Sequence, residues 1–277
     1  MNAVEKNDLT KYLVATRAPF HKTSLVIFSL IYLKIQIQLI KFWTKILNLD
    51  NQILLKQAYL DELQNYNLLT SPTLPKKNNN SSWSEGVKKL LLENGFGDTW
   101  FKQKADKNFE FIFRNRIVDN YIQSWHSSMD SPSSKLRTYK LFKSKFEKET
   151  YLDVVRDREK CATLTRFRTS SHNLLVETGR HSKPNPISAS KRICKACSLD
   201  AVEDEIHFLT SCPFYASLRT TLYEIVQKYD KYFKYRNATD KFINIMKSTE
   251  IEIIVTLAIF LWLAFQKRAS ILNATSQ

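Results

Sequence analysis

The stretch that most constrains this chain runs from Cys194 to Cys212 and reads CKACSLDAVEDEIHFLTSC. Two residues separate Cys194 from Cys197, nine separate Cys197 from His207, and four separate His207 from Cys212. Two thiolates at that first spacing can grip one ion from a tight turn, while His207 and Cys212 approach from the start of a following helix and complete a tetrahedron. Sulfur and imidazole ligands suit zinc, and four protein ligands leave no open position for water, so the ion is expected to be structural. Pro213 fits the first position of a helix, which makes Cys212 its cap. Glu203, Asp204 and Glu205 read as solvated residues near that helix start, where the helix dipole favours carboxylates. The competing reading is that the same four residues only pack, because cysteine is a good core residue.

Glycine is scarce around this turn and throughout, with only 4 in 277 residues. Tight phosphate-cradling loops and strand-rich folds both lean on glycine, so helices joined by polar linkers are favoured. Hydrophobic residues make up 43% and aromatics 12%, a globular composition. All four cysteines are accounted for without disulfides, three in the metal motif and Cys161 at an apolar helical position. That fits a reducing, intracellular compartment, nuclear or cytoplasmic. No cleavable signal peptide is visible. The uncharged run Ile253 to Gln266 is shorter than the roughly 20 apolar residues a spanning helix needs, so no membrane is expected.

Helical periodicity starts at Leu25. Lys34, Gln38, Lys41 and Lys45 form one stripe and leave Ile35, Ile37, Leu39, Ile40 and Trp43 on the buried side. Leu54, Leu55, Ala58, Tyr59 and Leu63 mark a second helix. Residues 1–22 are mixed, and TSPTLPKKNNNSS from Thr70 to Ser82 reads as a linker. Trp83 to Asn94 reads as a helix ended by Gly95. Phe109, Phe113, Ile117 and Tyr121 recur every four residues in the most aromatic helix, a core stripe. Ser127 to Ser134 is a second break. A helix after it would carry Lys135, Arg137, Lys140, Lys143 and Lys145 as a basic face. A helix from Cys212 to about Lys228 and a last one from about Thr249 complete the chain, the latter apolar on nearly every side and central to its core. The expectation is an all-α, multi-helix bundle with a small CCHC-type zinc-bound turn between helices. Its regions would be 1–40, partly helical, 41–150, helical, 151–215, basic segment and zinc turn, and 216–277, C-terminal helices.

Forty-two Lys and Arg against 27 Asp and Glu give a net charge of +15, which attracts polyanions. The densest local excess lies between Lys160 and Lys195, where Glu177 is the only acid. It leads into the zinc turn, a rigid anchor that would hold Arg166, Arg168, Arg180, Lys191, Arg192 and Lys195 where they could contact successive phosphates of RNA or DNA. The acids of the turn, Asp200, Glu203, Asp204 and Glu205, argue against phosphate contact by the loop itself. No base specificity follows from such contacts.

EDEIHFLTSCPFYASLR, preceded by ICKAC and by LTRFRTSSHNLLVETGRH, resembles the zinc-binding C-terminal region of non-LTR (LINE-type) retrotransposon reverse transcriptases. IKFWTKIL, KQAYLDEL, SWSEGVKKLLLENGFGDTW and NRIVDNYIQSW follow in the order seen in such polyprotein tails, so the likeness covers roughly Ile40 to the end. The resemblance implies zinc ligation by Cys194, Cys197, His207 and Cys212, and a role in holding RNA or target DNA for reverse transcription. The family's polymerase needs adjacent aspartates, and no Asp-Asp pair occurs in this chain. HExxH, P-loop, GxSxG and dinucleotide fingerprints are also missing, so no enzymatic activity and no small-molecule substrate are expected. The alternative is a non-binding relic fragment of such an element or a helical protein-interaction scaffold.

Overall fold

A computed structural model describes residues 25–65, 67–69, 82–131 and 134–274, with side chains described between Tyr32 and Ile271. The expectations for residues 1–22 and for the linker 70–81 lie outside the described residues. The fold is all-α, and among the described residues the only β pairing is an isolated antiparallel bridge between Ile193 and Val202. The chain divides into two compact units, one over Ile27–Ser127 and one from Ser128 onward. The division thus falls near residue 127 and not near residue 150. The basic segment, the Cys/His turn and the C-terminal helices share the second unit.

The first unit is built on α1 (Leu25–Leu47), α2 (Leu54–Asn65), α3 (Trp83–Glu93), α4 (Gly97–Lys102) and most of α5 (Phe109–Asp130). Ile40, Trp43 and Ile46 of α1 are buried with Tyr59, Leu91, Trp100, Phe109 and Phe113. Trp43 stacks on Trp100 with centroids 5.9 Å apart and donates its indole N–H to Tyr59 Oη at 2.8 Å, so the apolar body is buried without an orphaned donor. Both ends of α3 follow from sequence. Ser82 and Glu85 form a reciprocal capping box. At the other end Gly95, at φ +82°, sends its N–H to Leu92 O while Phe96 N–H reaches Leu91 O, the paired bonds of a left-handed glycine stop. Periodicity overreached at Ile35, Leu54 and Leu55, which are exposed. They lie where no neighbouring helix covers them, which an apolar residue's own spacing does not reveal.

The second unit holds α6 (Tyr139–Phe142), α7 (Tyr151–Val154), α8 (Arg158–Arg168), α9 (Leu175–Thr178), α10 (Ala216–Tyr229), α11 (Ala238–Lys247) and α12 (Ile251–Ala274). The basic helix expected after Ser134 is absent. Residues 135–138 form turns and only Tyr139–Phe142 is helical, with Leu136, Tyr139 and Phe142 buried in the core. The break near residue 127 also starts later, since α5 runs to Asp130. The last helix takes the central place expected of it and packs against α7, α8, α10 and α11. Its Ile253, Leu257, Leu261 and Ala264 are buried, while Ile251 and Ile259 face outward. Among the described residues no single helix is long and apolar enough to cross a membrane.

Phe208 is the aromatic hub of this unit. Its fully buried ring lies 4.6 Å from Tyr215, 4.8 Å from Phe265 of α12 and 5.9 Å from Phe167 of α8, centroid to centroid. Its neighbour in sequence is His207, so one backbone turn serves both the hydrophobic core and the Cys/His cluster. Truncating such a ring removes its burial and leaves a cavity. Phe208→Ala is expected to lose about 3–5 kcal/mol in urea unfolding, and a loss below about 1 kcal/mol would contradict the hub role.

Candidate metal centre

The arm that carries Cys194 is positioned by the Ile193–Val202 bridge, where Cys194 N–H donates to Ala201 O and Glu203 N–H to Arg192 O, both at 2.8 Å. Between them the chain reverses through a turn that holds Cys197, with Asp200 at φ +48°. The second arm is a single widened turn, a π-helix over His207–Ser211, not the start of an α-helix. Cys212 N–H closes it on His207 O at 2.8 Å. The extra residue lets positions five apart come to the same side, which a turn of 3.6 residues does not do. Pro213 then opens a 3₁₀ turn, Pro213–Tyr215, capped by Cys212 as its position suggested.

The result is convergence. One ligand atom each from Cys194, Cys197, His207 and Cys212 lies within 4.8 Å of every other. Cys194 Sγ is 3.9 Å from Cys212 Sγ, and Cys197 Sγ is 3.4 Å from His207 Nε2. A tetrahedral ion with bonds of about 2.3 Å to sulfur and about 2.0 Å to nitrogen needs edges of about 3.8 Å and about 3.6 Å. The four donors therefore fit one metal ion. Cys194, His207 and Cys212 are buried and Cys197 is half-buried. The close sulfur pair shares its proton. The contact with Cys212, reinforced by burial, pushes the Cys194 thiol up to about 12, and the same contact lowers Cys212. A bound cation would displace that proton.

Arg219 supports the widened turn from below. Buried in α10, it donates from Nε to Leu209 O at 2.7 Å and from Nη2 to Cys212 O at 2.8 Å and Phe208 O at 3.3 Å. It therefore satisfies the carbonyls at the end of the turn and sets a positive charge beside the thiolates. Asp204 fixes the other end by accepting the His207 N–H at 2.7 Å, and burial pushes its carboxyl up.

The acidic run is not solvated. Glu203 is buried against Arg268 of α12, which donates to both carboxylate oxygens at 2.7 Å, and it also accepts Leu175 N–H at 2.7 Å. Glu205 is fully buried and accepts from Ser170 Oγ at 2.6 Å, His172 Nε2 at 2.9 Å and Arg137 Nη2 at 2.6 Å. Burial pushes Glu205 up, but the His172 bond and charge, with Arg137 and Ser170, prevail and hold it down at about 2. Arg137 also binds Glu177. Glu203 and Glu205 point inward because their partners come from distant positions in the sequence, which local spacing cannot show.

The six cations assigned to phosphate contact separate into two groups. Arg168 and Arg192 are buried and structural, which corrects the expectation for them. Arg168 donates to Glu149 Oε2 at 2.7 Å and to Met246 O at 2.8 Å. Arg192 donates to Val176 O at 2.7 Å and Ile187 O at 2.9 Å, and its side chain lies so close over Gly179 that a Cβ there would sit 3.0 Å from it. A planar fork of donors suits buried carbonyls as well as it suits phosphate. Lys191 and Lys195 are exposed on either side of the bridge, and Arg166 and Arg180 are half-buried, Arg180 3.5 Å from Glu177. Sequence reasoning missed Arg137, Arg219 and Arg268. Arg219 alone carried a local signal, seven positions after Cys212 in the same segment.

Arg219→Ala removes the side-chain donor of the Phe208, Leu209 and Cys212 carbonyls, of which Cys212 O keeps the Tyr215 N–H at 3.3 Å. It is expected to cost about 2–4 kcal/mol of stability and to weaken metal affinity about 10–100-fold in chelator competition; unchanged affinity would show that the turn is held without Arg219. No family model matches this chain, and neither does a curated protein or a solved structure, so its function has to be argued from the site itself.

Proposed function

We propose that this chain is a zinc-stabilised nucleic-acid-binding module, derived from the tail of a non-LTR retrotransposon reverse transcriptase and without polymerase activity of its own. Zinc is the preferred ion because three sulfurs and one imidazole, largely buried, suit a borderline-soft ion in a closed tetrahedral site. Four protein ligands give the ion a structural role.

The observation that carries the binding reading is the direction of the charges. Glu203 and Glu205 of the turn face inward and are neutralised by Arg268 and Arg137, so they do not repel a phosphate strand. Lys191 and Lys195 stand exposed beside the turn, with Arg166 and Arg180 partly accessible. Among the described residues burial takes in four Glu against seven Lys and Arg, so it draws only a small part of the chain's +15 excess away from the surface. Contacts of this kind address the sugar-phosphate backbone and supply affinity without base preference. A protein-interaction scaffold is the second reading, favoured by Leu54, Phe111 and Ile112, which are 80%, 67% and 51% exposed in the first unit.

Two measurements on the purified chain test the proposal. Elemental analysis is expected to find one zinc per chain, and X-ray absorption a shell of three sulfurs and one nitrogen. Affinity for single-stranded RNA is expected to fall linearly with log salt, and Lys191→Gln with Lys195→Gln to flatten that slope by about 1.4. Binding that is indifferent to salt, or absent, would turn the reading toward the scaffold.

A further inference from the structure

Apart from Arg137, which binds Glu205 and Glu177, the basic run between Lys135 and Lys148 plays no part around the Cys/His cluster, yet the fold gives it a place. Residues 143–150, which follow α6 without regular structure, meet residues 246–249, the end of α11 and the start of its connection to α12, above the last residue of α8. Together they line a cavity of about 240 Å³. Its cations are Lys143, Lys145, Lys148, Arg168 and Lys247, against Glu147 and Glu149.

Both carboxylates are engaged by cations of the wall itself. Glu149 is buried, bound by Arg168 Nη2 at 2.7 Å and by Tyr139 Oη at 2.9 Å. Glu147 is exposed at the rim with its carboxylate 4.0 Å from Lys143 Nζ. Donors remain. Arg168 is clamped by Glu149, by Met246 O and by the Phe142 ring 4.4 Å from its guanidinium carbon, yet its buried Nε–H has no partner. Lys143, also buried, bonds Glu147 O at 3.0 Å, one acceptor for three ammonium protons. Lys145 and Lys247 are exposed, and among the described residues neither has a carboxylate within ion-pair distance. Ser144, Thr150, Ser248 and Thr249 add hydroxyls to the wall, and the rest of it is apolar or aromatic, Leu164 and Leu257 included.

We infer that this cavity binds a phosphate group. A clamped guanidinium edge, a buried ammonium and two unpaired lysines at the mouth match a compact multivalent anion in charge and in donor number. The volume is below the roughly 300–1,000 Å³ of cofactor pockets, so it admits one phosphate and not a whole nucleotide. The phosphate comes either from a free phosphate or from a nucleic-acid strand whose remainder lies outside. The site stands on its own geometry and does not depend on the metal centre's role.

The test uses the full chain, labelled with ¹⁵N and titrated with inorganic phosphate at constant ionic strength. Expected are saturable shifts in the amides of residues 143–150 and 246–249 and in the Arg168 Nε–H. Lys145→Gln with Lys247→Gln, both at exposed positions, is expected to keep the melting temperature and to weaken phosphate binding by about tenfold. Shifts that never saturate, that spread over all lysines, or that are unchanged in the double variant would overturn the site. A second arm adds single-stranded RNA of about 12 nucleotides. RNA that moves the same amides identifies the strand as the source of the phosphate. RNA that binds without moving them, while inorganic phosphate saturates, assigns the cavity to a free phosphate. RNA that does not bind at all, with phosphate still saturating, would sink the nucleic-acid reading and leave the cavity standing.

Discussion

The convergence of Cys194, Cys197, His207 and Cys212 on a single point is the constraint on which the second unit rests. Between α8 and α10 the chain is made of short turns, one isolated bridge and one widened helical turn. Such segments bring few cooperative backbone bonds, and residues on them lose their order easily unless something cross-links them. A tetrahedral ion would join the bridge arm to the widened turn at one point. Because Phe208 follows His207 directly, that point is continuous with the aromatic core around α12. With an ion bound, turn and core would act as one cooperative assembly, in which the binding energy of the ion is folding energy.

Around that centre the unit buries charge in pairs. Glu203 with Arg268, Glu205 with Arg137 and His172, and Glu149 with Arg168 tie segments that share no regular structure. Buried pairs of this kind add little net stability, because desolvation offsets most of the attraction. They are nonetheless costly to break, since a lone buried charge has no compensation. Their effect here is to fix which segment meets which. Leu175 N–H on Glu203 and Ser170 on Glu205 hold the loop after α8 against the acidic run, and Arg219 holds the widened turn against α10. The same pairing leaves Lys191, Lys195, Lys145 and Lys247 among the outward-facing charges.

What could be read from sequence divides along the range of the interaction. The cluster of three cysteines and one histidine was legible because its chemistry and spacing are local. So were the glycine stop at Gly95 and the aromatic stripe Phe109, Phe113 and Ile117, each settled within one or two turns. The inward direction of Glu203 and Glu205 was not legible, because Arg268 and Arg137 lie 65 and 68 positions away. Arg168 and Arg192 were misread because their acceptors, the Glu149 carboxylate and the carbonyls of Met246, Val176 and Ile187, are brought to them only when the chain is folded. The widened turn at His207–Ser211 was invisible for another reason. An inserted residue in a helical turn leaves apolar periodicity almost unchanged and shows itself only in the backbone bond from Cys212 to His207. Ile35 and Leu54 show the converse limit, apolar spacing without a covering neighbour.

The central claim is that the metal is part of the fold of the second unit and not an ornament on it. Hydrogen exchange of the full chain, before and after removal of the metal by a chelator, tests it most directly. The account predicts that protection collapses across α8, the Cys/His turn, α10 and α12, while α1, α3 and α5 keep theirs. Protection that persists through residues 158–274 in the metal-free chain would contradict it and reduce the four residues to ordinary packing.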